Sequence, residues 1–466
     1  MDQQICNVAI VGAGASGVLL AGSLVRPPLR LNVLLIDPTP GRGPAFGSVD
    51  PHHLLNTRAG NMSLDVQSPR GFVDWLNLYR ERPGGWDDED FAPRRDFGDY
   101  LEQRLANLET RTPGLGSTRV VRSRAISAER GESGWSIRLA TREVVQADTL
   151  VLATGVGRPR PMLFHGRDEI EPFVLDDPWD DAALKATPPG GTVLLIGTGL
   201  TAMDVATSLW RKDPQTKVVA VSRHGLLPRI HALPSPAAPV ISPPYPKSAR
   251  ELYAKLRAAA EFVEGDASLR HGVFLNLREI GDKLWAGLPD DERLMFLRHF
   301  RRYWEVERHR LPPAQADVIR AAIADGRLEV VRGRLAEAKS INAGAQARAA
   351  LLTSDGPRAL VVNRVINCSG PEADVFRSRN PLLLDLLAQG AAVADPLGLG
   401  LHVDESCAVL GSTGQVTPGL FAVGAPTQGR FFVTTAVTEI RAQTARLAEL
   451  ILVSAAVQGL TEPQPA

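Results

Sequence analysis

Two glycine turns, each entered directly from a short apolar run, constrain this chain more than any other feature. The first is Val8-Ala9-Ile10-Val11-Gly12-Ala13-Gly14-Ala15-Ser16-Gly17, and the second is Val193-Leu194-Leu195-Ile196-Gly197-Thr198-Gly199-Leu200-Thr201-Ala202. The apolar runs read as buried strands, and the residues after each turn carry apolar positions at helical spacing. Strand, tight turn and helix in that order begin a parallel βαβ unit, whose helix N-terminus offers free N–H groups to a phosphate. Gly12 allows the turn, Gly14 lets the main chain approach a pyrophosphate, and Gly17 lets helix and strand pack, with Ser16 beside it in the first helical turn. The next apolar run, 31–36, ends on Asp37, ~20 residues past Gly17, where an acid accepts both ribose hydroxyls. An acid there repels a 2′-phosphate, so the first turn suits FAD or NAD and not NADP.

The second turn differs at the matching place. Gly197, Gly199 and Ala202 form GxGxxA, with Leu200 and Thr201 opening the helix, but the following strand ends Val221-Ser222-Arg223-His224 with no acid. A guanidinium holds a 2′-phosphate through paired, charge-assisted hydrogen bonds. Ser222 and Arg223 therefore point to NADPH rather than NADH, against the alternative of a solvated arginine at a strand end. Asp204, inside the helix, is expected to be structural.

At 466 residues the chain exceeds one small core and is expected to form two or three domains. Lys plus Arg and Asp plus Glu each number 52, so no global field favours nucleic acid or anionic lipid. No apolar run approaches the ~20 residues of a membrane span, and the N-terminal run lacks the basic start of a signal peptide. The three cysteines, Cys6, Cys368 and Cys407, are widely separated with no CxxC, which points to a reducing cytoplasmic location and away from a redox dithiol or zinc site. His52-His53 lacks a third ligand, so no metal is expected.

Residues 38–69 are rich in Gly, Pro, Asn and His; irregular backbone of that length in a compact domain usually touches a ligand. Residues 96–108 and the stretch from Thr434 onward read as helices, and 228–246 as an exposed, proline-rich arm. Residues 249–323 are helical in pattern, and 461–466 read as a frayed tail. The expected fold class is α/β, with two Rossmann-like dinucleotide-binding units and a helical insert.

Further residues carry a resemblance. Gly41-Arg42-Gly43-Pro44-Ala45-Phe46-Gly47, His53-Leu54-Leu55-Asn56-Thr57, Asn61-Met62-Ser63 and Phe72-Val73-Asp74-Trp75-Leu76 stand in one order, with Asp177-Pro178-Trp179 before the second turn and Gly429–Arg441 near the end. They resemble a bacterial family of FAD/NAD(P)-binding proteins with the pattern GRGxAYG, HLLN, MS and FxxWL. That family includes flavin-dependent urate hydroxylases, and its architecture is similar to that of single-component flavin N-hydroxylating monooxygenases. The resemblance implies two nested Rossmann-like domains, a discontinuous FAD domain with an inserted NADPH domain; the boundaries drawn are 1–175 and 361–466 for the FAD domain, 176–230 and 326–360 for the NADPH domain, and 231–325 for the insert or cap. The resemblance implies that His53, Leu54, Asn56, Thr57 and Met62 lie along FAD, that Ala153-Thr154-Gly155 runs beside it where the chain leaves for the NADPH domain, and that Gly424 lies in a late FAD motif. A helix from Thr434 and Thr435 would point its N-terminus at the flavin pyrimidine oxygen, where its dipole stabilises the anionic reduced ring. Three positions depart from related patterns: Ala425 stands where many flavoproteins place an acid, Val433 where an acidic residue is common in the family, and Ile170 where a Baeyer–Villiger fingerprint needs histidine.

The function this implies is an NADPH-dependent monooxygenase that hydroxylates a small nitrogen-containing substrate with O₂ through a C4a-hydroperoxyflavin. The cofactors FAD and NADPH carry the chemistry, and no Ser-His-Asp set or carboxylate pair is needed. Arg430, Asn61 and Arg42 are the candidates for the substrate or flavin environment. The aromatic-basic run from Arg298 to Trp304 reads as a solvated helix face or a substrate cap. His309 and Arg310 either close over the nicotinamide or substrate, or form a cation pair favoured by a helix C-terminus. The competing readings are an NAD(P)H-dependent flavoprotein reductase with an acceptor other than O₂, and a non-catalytic flavin protein.

Overall fold

The computed structural model describes residues 5–25, 31–48, 50–109, 117–263 and 265–457. The expected tail at 461–466 lies outside them. In chain order the strands are β1 (Ile5–Val11), β2 (Asn32–Ile36), β3 (Ser117–Val121), β4 (Ala125–Gly131), β5 (Gly134–Leu139), β6 (Val144–Leu152), β7 (Val174–Leu175), β8 (Thr192–Ile196), β9 (Lys217–Ser222), β10 (Leu328–Ile341), β11 (Gln346–Thr353), β12 (Gly356–Val362), β13 (Arg364–Asn367), β14 (Ala408–Leu410) and β15 (Val416–Ala422).

Val8 to Val11 are buried, as strands covered on both faces must be. The first sheet runs β14-β15-β6-β1-β2-β3, parallel from β15 to β3, with the β4–β5 hairpin antiparallel against the start of β6. One face is covered by helix Ala15–Leu24, which packs on the long C-terminal helix Val437–Val457. The second sheet runs β12-β11-β10-β9-β8-β13-β7, parallel from β10 to β7, with β11 and β12 antiparallel at the edge. Helices Leu200–Lys212 and Pro313–Ala324 share its core. The fold is α/β with two such sheets. In each, the strand before a glycine turn lies between its immediate successor and a strand from much later in the chain, β1 between β2 and β6 and β8 between β9 and β13, so each turn sits at a topological switch point.

The structure moves several expected boundaries. Val174–Leu175 and Arg364–Asn367 pair with each other in the second sheet, although the sequence reading gave both to the first domain. The polypeptide joins the second sheet as soon as it crosses, because β8 needs β13 on its free edge. Helix Pro313–Ala324, assigned above to the insert, belongs to the second domain's core. The C-terminal helix begins at Val437, not Thr434. The arm at 228–246 is not free: Arg58 donates to Ala232 O at 2.7 Å, and His231 Nε2 bonds Asn56 O at 2.9 Å.

The helices between Ala249 and Arg308 build a core that they cannot close alone. Leu399, Phe432 and Val433 of the first domain complete it, with Trp285 stacked on Phe432 at 4.3 Å. Trp285 Nε1 donates to Gly429 O at 2.8 Å, and Arg278 forks onto Glu439. The insert is thereby fixed over the C-terminal segment of the first domain.

Candidate functional site

The two turns are built alike. Gly12 N–H donates to Ile36 O at 2.9 Å and Gly197 N–H to Val221 O at 2.8 Å; Ala153 N–H to Val11 O and Cys368 N–H to Ile196 O are both 2.8 Å. Gly12 has φ +109° and Gly197 φ +121°, and a Cβ would stand 2.1 Å from Ala153 O in the first and 2.3 Å from Cys368 O in the second. Glycine is required at both places by backbone conformation and by the crossing strand. A Cβ on Gly17 would lie 1.9 Å from Gly12 O, whereas the second helix accommodates Ala202, fully buried.

The strand ends differ. Asp37 Oδ2 accepts from Ala13 N–H and Oδ1 from Thr39 N–H, both at 2.8 Å, so the carboxylate is held beside the first turn. In the second unit Ser222 Oγ bonds Thr198 Oγ1 at 2.9 Å, and Arg223 is exposed with no ion pair among the described residues.

Both turns open on one cavity of about 1620 Å³. Gly12, Asp37, Asn56, Thr154, Gly155 and Thr435 line it from the first domain, and Gly197, Gly199, Leu200, Thr201, Ser222 and Arg223 from the second. Gly14, Ser16, Gly17, Ala153, Ala202 and Gly424 do not line it. They form the packing beneath the turns: Ser16 sits against Gly424, and Gly14 faces Gly43.

Other expected residues lie elsewhere. His53 is buried away from the cavity, its Nδ1 on Ser48 Oγ at 2.6 Å and its Nε2 on Ser208 Oγ at 2.8 Å. Ser208 also donates to Asp50 at 2.6 Å; with His52 and His53 adjacent, these bonds hold the Asp50 carboxyl down at about 2 against burial, which raises it. Leu54 bridges to Pro93, Met62 is in the first core, and Thr57 is off the cavity wall. Thr434 is buried, its hydroxyl on Gln443 at 3.1 Å.

The three candidates for the substrate or flavin environment lie off the cavity wall, two of them with carboxylate partners. Arg42 is held by Asp99 and Glu102, Asn61 is exposed in the turn Ala59–Asn61, and Arg430 pairs with Glu405 at 3.0 Å. None of the three lines the cavity.

The cavity instead has polar walls that the sequence reading missed or left open. Arg94 Nη2 pairs with buried Asp204 at 2.8 Å, and Gln315 donates to the other Asp204 oxygen at 2.7 Å, which makes Asp204 structural as expected. Arg298, Arg301, Arg302, Glu305, Arg308 and His309 reach the cavity from the insert. Glu305 accepts from Arg301 at 3.2 Å and is 2.6 Å from His309 Nδ1; burial raises its carboxyl, but His309, Arg301 and Arg308 outweigh burial and hold it below the usual range. Arg308 donates to Val433 O at 2.8 Å and to Thr435 Oγ1 at 3.3 Å. Arg310, paired in the sequence reading with His309, turns away to buried Glu307 at 2.9 Å. The i, i+3, i+4 spacing of the basic residues was a visible signal; that this face looks onto a cavity depends on the insert's docking.

Among the described residues, no helix is long and apolar enough to cross a membrane. No match by sequence is found among curated proteins. Residues 9–157 match the family model described as FAD-NAD(P)-binding. The solved structures similar to the chain include the ornithine N-hydroxylase of Kutzneria sp. 744 with reduced FAD, NADP⁺ and L-ornithine, at 17% identity and TM-score 0.62, covering 97% of this chain and 100% of that one. They include the FAD-bound cadaverine monooxygenase of Erwinia amylovora, at 15% and 0.67, covering 96% and 94%. The bacillithiol disulfide reductase of Staphylococcus aureus is also similar, at 11% and 0.58, covering 97% and 99%. At these identities the likeness establishes a shared fold over nearly the whole chain, and the FAD-NAD(P)-binding match falls on the first of its two domains.

Proposed function

We propose that the protein is a single-component, NADPH-dependent flavin monooxygenase that hydroxylates a small nitrogen-containing molecule. The observation that carries this reading is the single cavity onto which both glycine turns open, roofed by the insert. Its volume exceeds the roughly 300–1,000 Å³ of an ordinary small-ligand pocket. Gly199 supports a dinucleotide directly. Its φ is −80°, and nothing lies within 4 Å of where its Cβ would stand, so the protein itself does not require glycine there. The space suits a pyrophosphate passing over the main chain at a helix N-terminus.

In this reading Asp37 accepts the ribose hydroxyls of FAD, with the Gly12–Gly17 turn at its pyrophosphate. Ser222 and Arg223 take the 2′-phosphate of NADPH. The bound cofactors supply hydride transfer and the activation of O₂, which no side chain provides. The insert excludes water and, through Arg308, fixes the loop at Val433–Thr435 against the cavity. The nitrogen-containing substrate class is supported by the likeness to hydroxylases of ornithine and cadaverine.

The likeness to a disulfide reductase keeps a second reading in play, an NAD(P)H-dependent flavoprotein reductase with another acceptor. A dithiol version of it is disfavoured among the described residues. Cys368 and Cys407 are both buried and belong to different sheets' surroundings, and burial pushes the Cys407 thiol up to about 12.

Anaerobic mixing with NADPH, then O₂, across a panel of amino acids, amines and purines separates these readings. The monooxygenase reading expects NADPH to bleach the visible flavin band and one substrate to gain one oxygen atom by mass. Bleaching with reoxidation only by a quinone or disulfide selects the reductase; no bleaching overturns both. Arg223→Ala is expected to raise the KM for NADPH and spare NADH.

A further inference from the structure

We propose that Arg302, carried by the helical insert, is the second arm of an anion clamp with Arg223, and that this clamp holds the 2′-phosphate of NADPH. The inference rests on the NADPH reading and adds a residue from a different part of the fold. Arg223 follows the end of β9, and Arg302 lies in helix Arg301–Arg308; both line the same cavity, as does His224. Arg332 adds a third positive charge from β10, where it is in register with Ser222.

Among the described residues neither Arg223, Arg302 nor Arg332 makes an ion pair. Arg302 donates only to Arg298 O, at 3.3 Å, and its Nε is buried without a partner while its guanidinium lies over the Tyr303 ring. The nearest acid on its helix, Glu305, is already held by Arg301 and His309. The imidazole of His224 registers the field: burial, and then Arg302, Arg223 and Arg332, all lower its basicity. Like charges gathered beside a cavity repel one another, and a dianion placed among them relieves that repulsion while satisfying the free Arg302 Nε. A phosphate monoester on the ribose next to Ser222 has the right charge and position.

Because Arg302 belongs to the insert, the clamp also couples cofactor identity to the roof of the cavity. NADPH would tie the insert to the second domain through its phosphate, whereas NADH would leave Arg302 unsatisfied.

The test uses the FAD-loaded protein and the ratio of kcat/KM for NADPH to that for NADH. Arg302→Gln is expected to lower this ratio at least about tenfold, through the KM for NADPH, with NADH kinetics unchanged. Arg302→Lys, which keeps the charge, is expected to retain most of the preference and also shows that the position tolerates replacement. As a binding probe independent of turnover, 2′,5′-ADP should bind the unaltered protein more tightly than 5′-AMP, and Arg302→Gln should remove the difference. Equal losses with both cofactors, or a ratio unchanged in Arg302→Gln, overturn the clamp. If the protein oxidises no NADPH yet still shows Arg302-dependent binding of 2′,5′-ADP, the anion site stands and the monooxygenase reading falls.

Discussion

The two glycine turns share a backbone and differ in everything around it. Each has a glycine at φ above +100° pressed on the carbonyl of the next crossing strand, and each donates to the strand that follows its helix. The first is surrounded by its own domain: Asp37 is tied to Ala13 and Thr39, and Ser16 packs under Gly424. The second is surrounded by borrowed parts, since Arg302 comes from the insert and Arg94, which reaches Asp204 in its helix, comes from the first domain. The closed turn suits a cofactor that stays, and the composite turn one that enters and leaves as the pieces around it engage.

The strongest way to break this comparison is to remove each turn's essential glycine in turn. Gly12→Ala and Gly197→Ala both place a methyl within 2.3 Å of a backbone carbonyl at a positive φ, which costs about 3 kcal/mol or more locally. Their consequences should differ. Gly12→Ala is expected to yield protein without bound flavin, seen as loss of the visible absorbance after purification. Gly197→Ala should keep the yellow colour and lose bleaching by NADPH. Flavin lost from Gly197→Ala and kept in Gly12→Ala would reverse the assignment of the two sites.

The contrast also shows what the sequence can carry. Both turns and the acid and the arginine at their strand ends were legible because they depend on local spacing: strand period, glycine offset and the next strand's last residue; the nesting of the two sheets came only with the family resemblance. The roof was not legible. Arg302 and Glu305 look like an ordinary solvated helix face until Trp285 stacks on Phe432 and turns that face inward. The partners of His53, Arg42 and Arg430, namely Ser208, Asp99 and Glu405, were not legible for the related reason that they are distant in sequence. A side chain's availability for a ligand is set by what else satisfies it, and spacing does not record that.

The brace between the two domains gives the next largest effect. Asp204 is 1% exposed, and its charge is balanced by Arg94 at 2.8 Å. Arg94→Ala strands that carboxylate in the second core, which is expected to cost about 3–5 kcal/mol. Urea unfolding should show this as a lowered midpoint, and combining Arg94→Met with Asp204→Leu should recover much of the loss, because two apolar groups leave no buried charge. If Arg94→Ala unfolds at the same midpoint as the parent, water reaches Asp204 and the second turn is less enclosed than its surroundings suggest.

Arg430 marks the weak end of the same scale and sharpens it against Arg302. Both are arginines near the cavity, but Arg430 has a carboxylate partner, Glu405, that is 87% exposed. A pair so open to water contributes roughly 0–1 kcal/mol, and Arg430 is not part of the cavity wall. Arg430→Ala is therefore expected to shift the melting temperature only slightly, with turnover and the NADPH-to-NADH ratio unchanged, where Arg302→Gln changes that ratio. Measuring both variants in one assay separates a paired surface arginine from an unpaired one facing the cavity. A large loss of turnover in Arg430→Ala would mean that the Glu405 pair opens in the working protein and that the first turn, too, borrows a charge from outside.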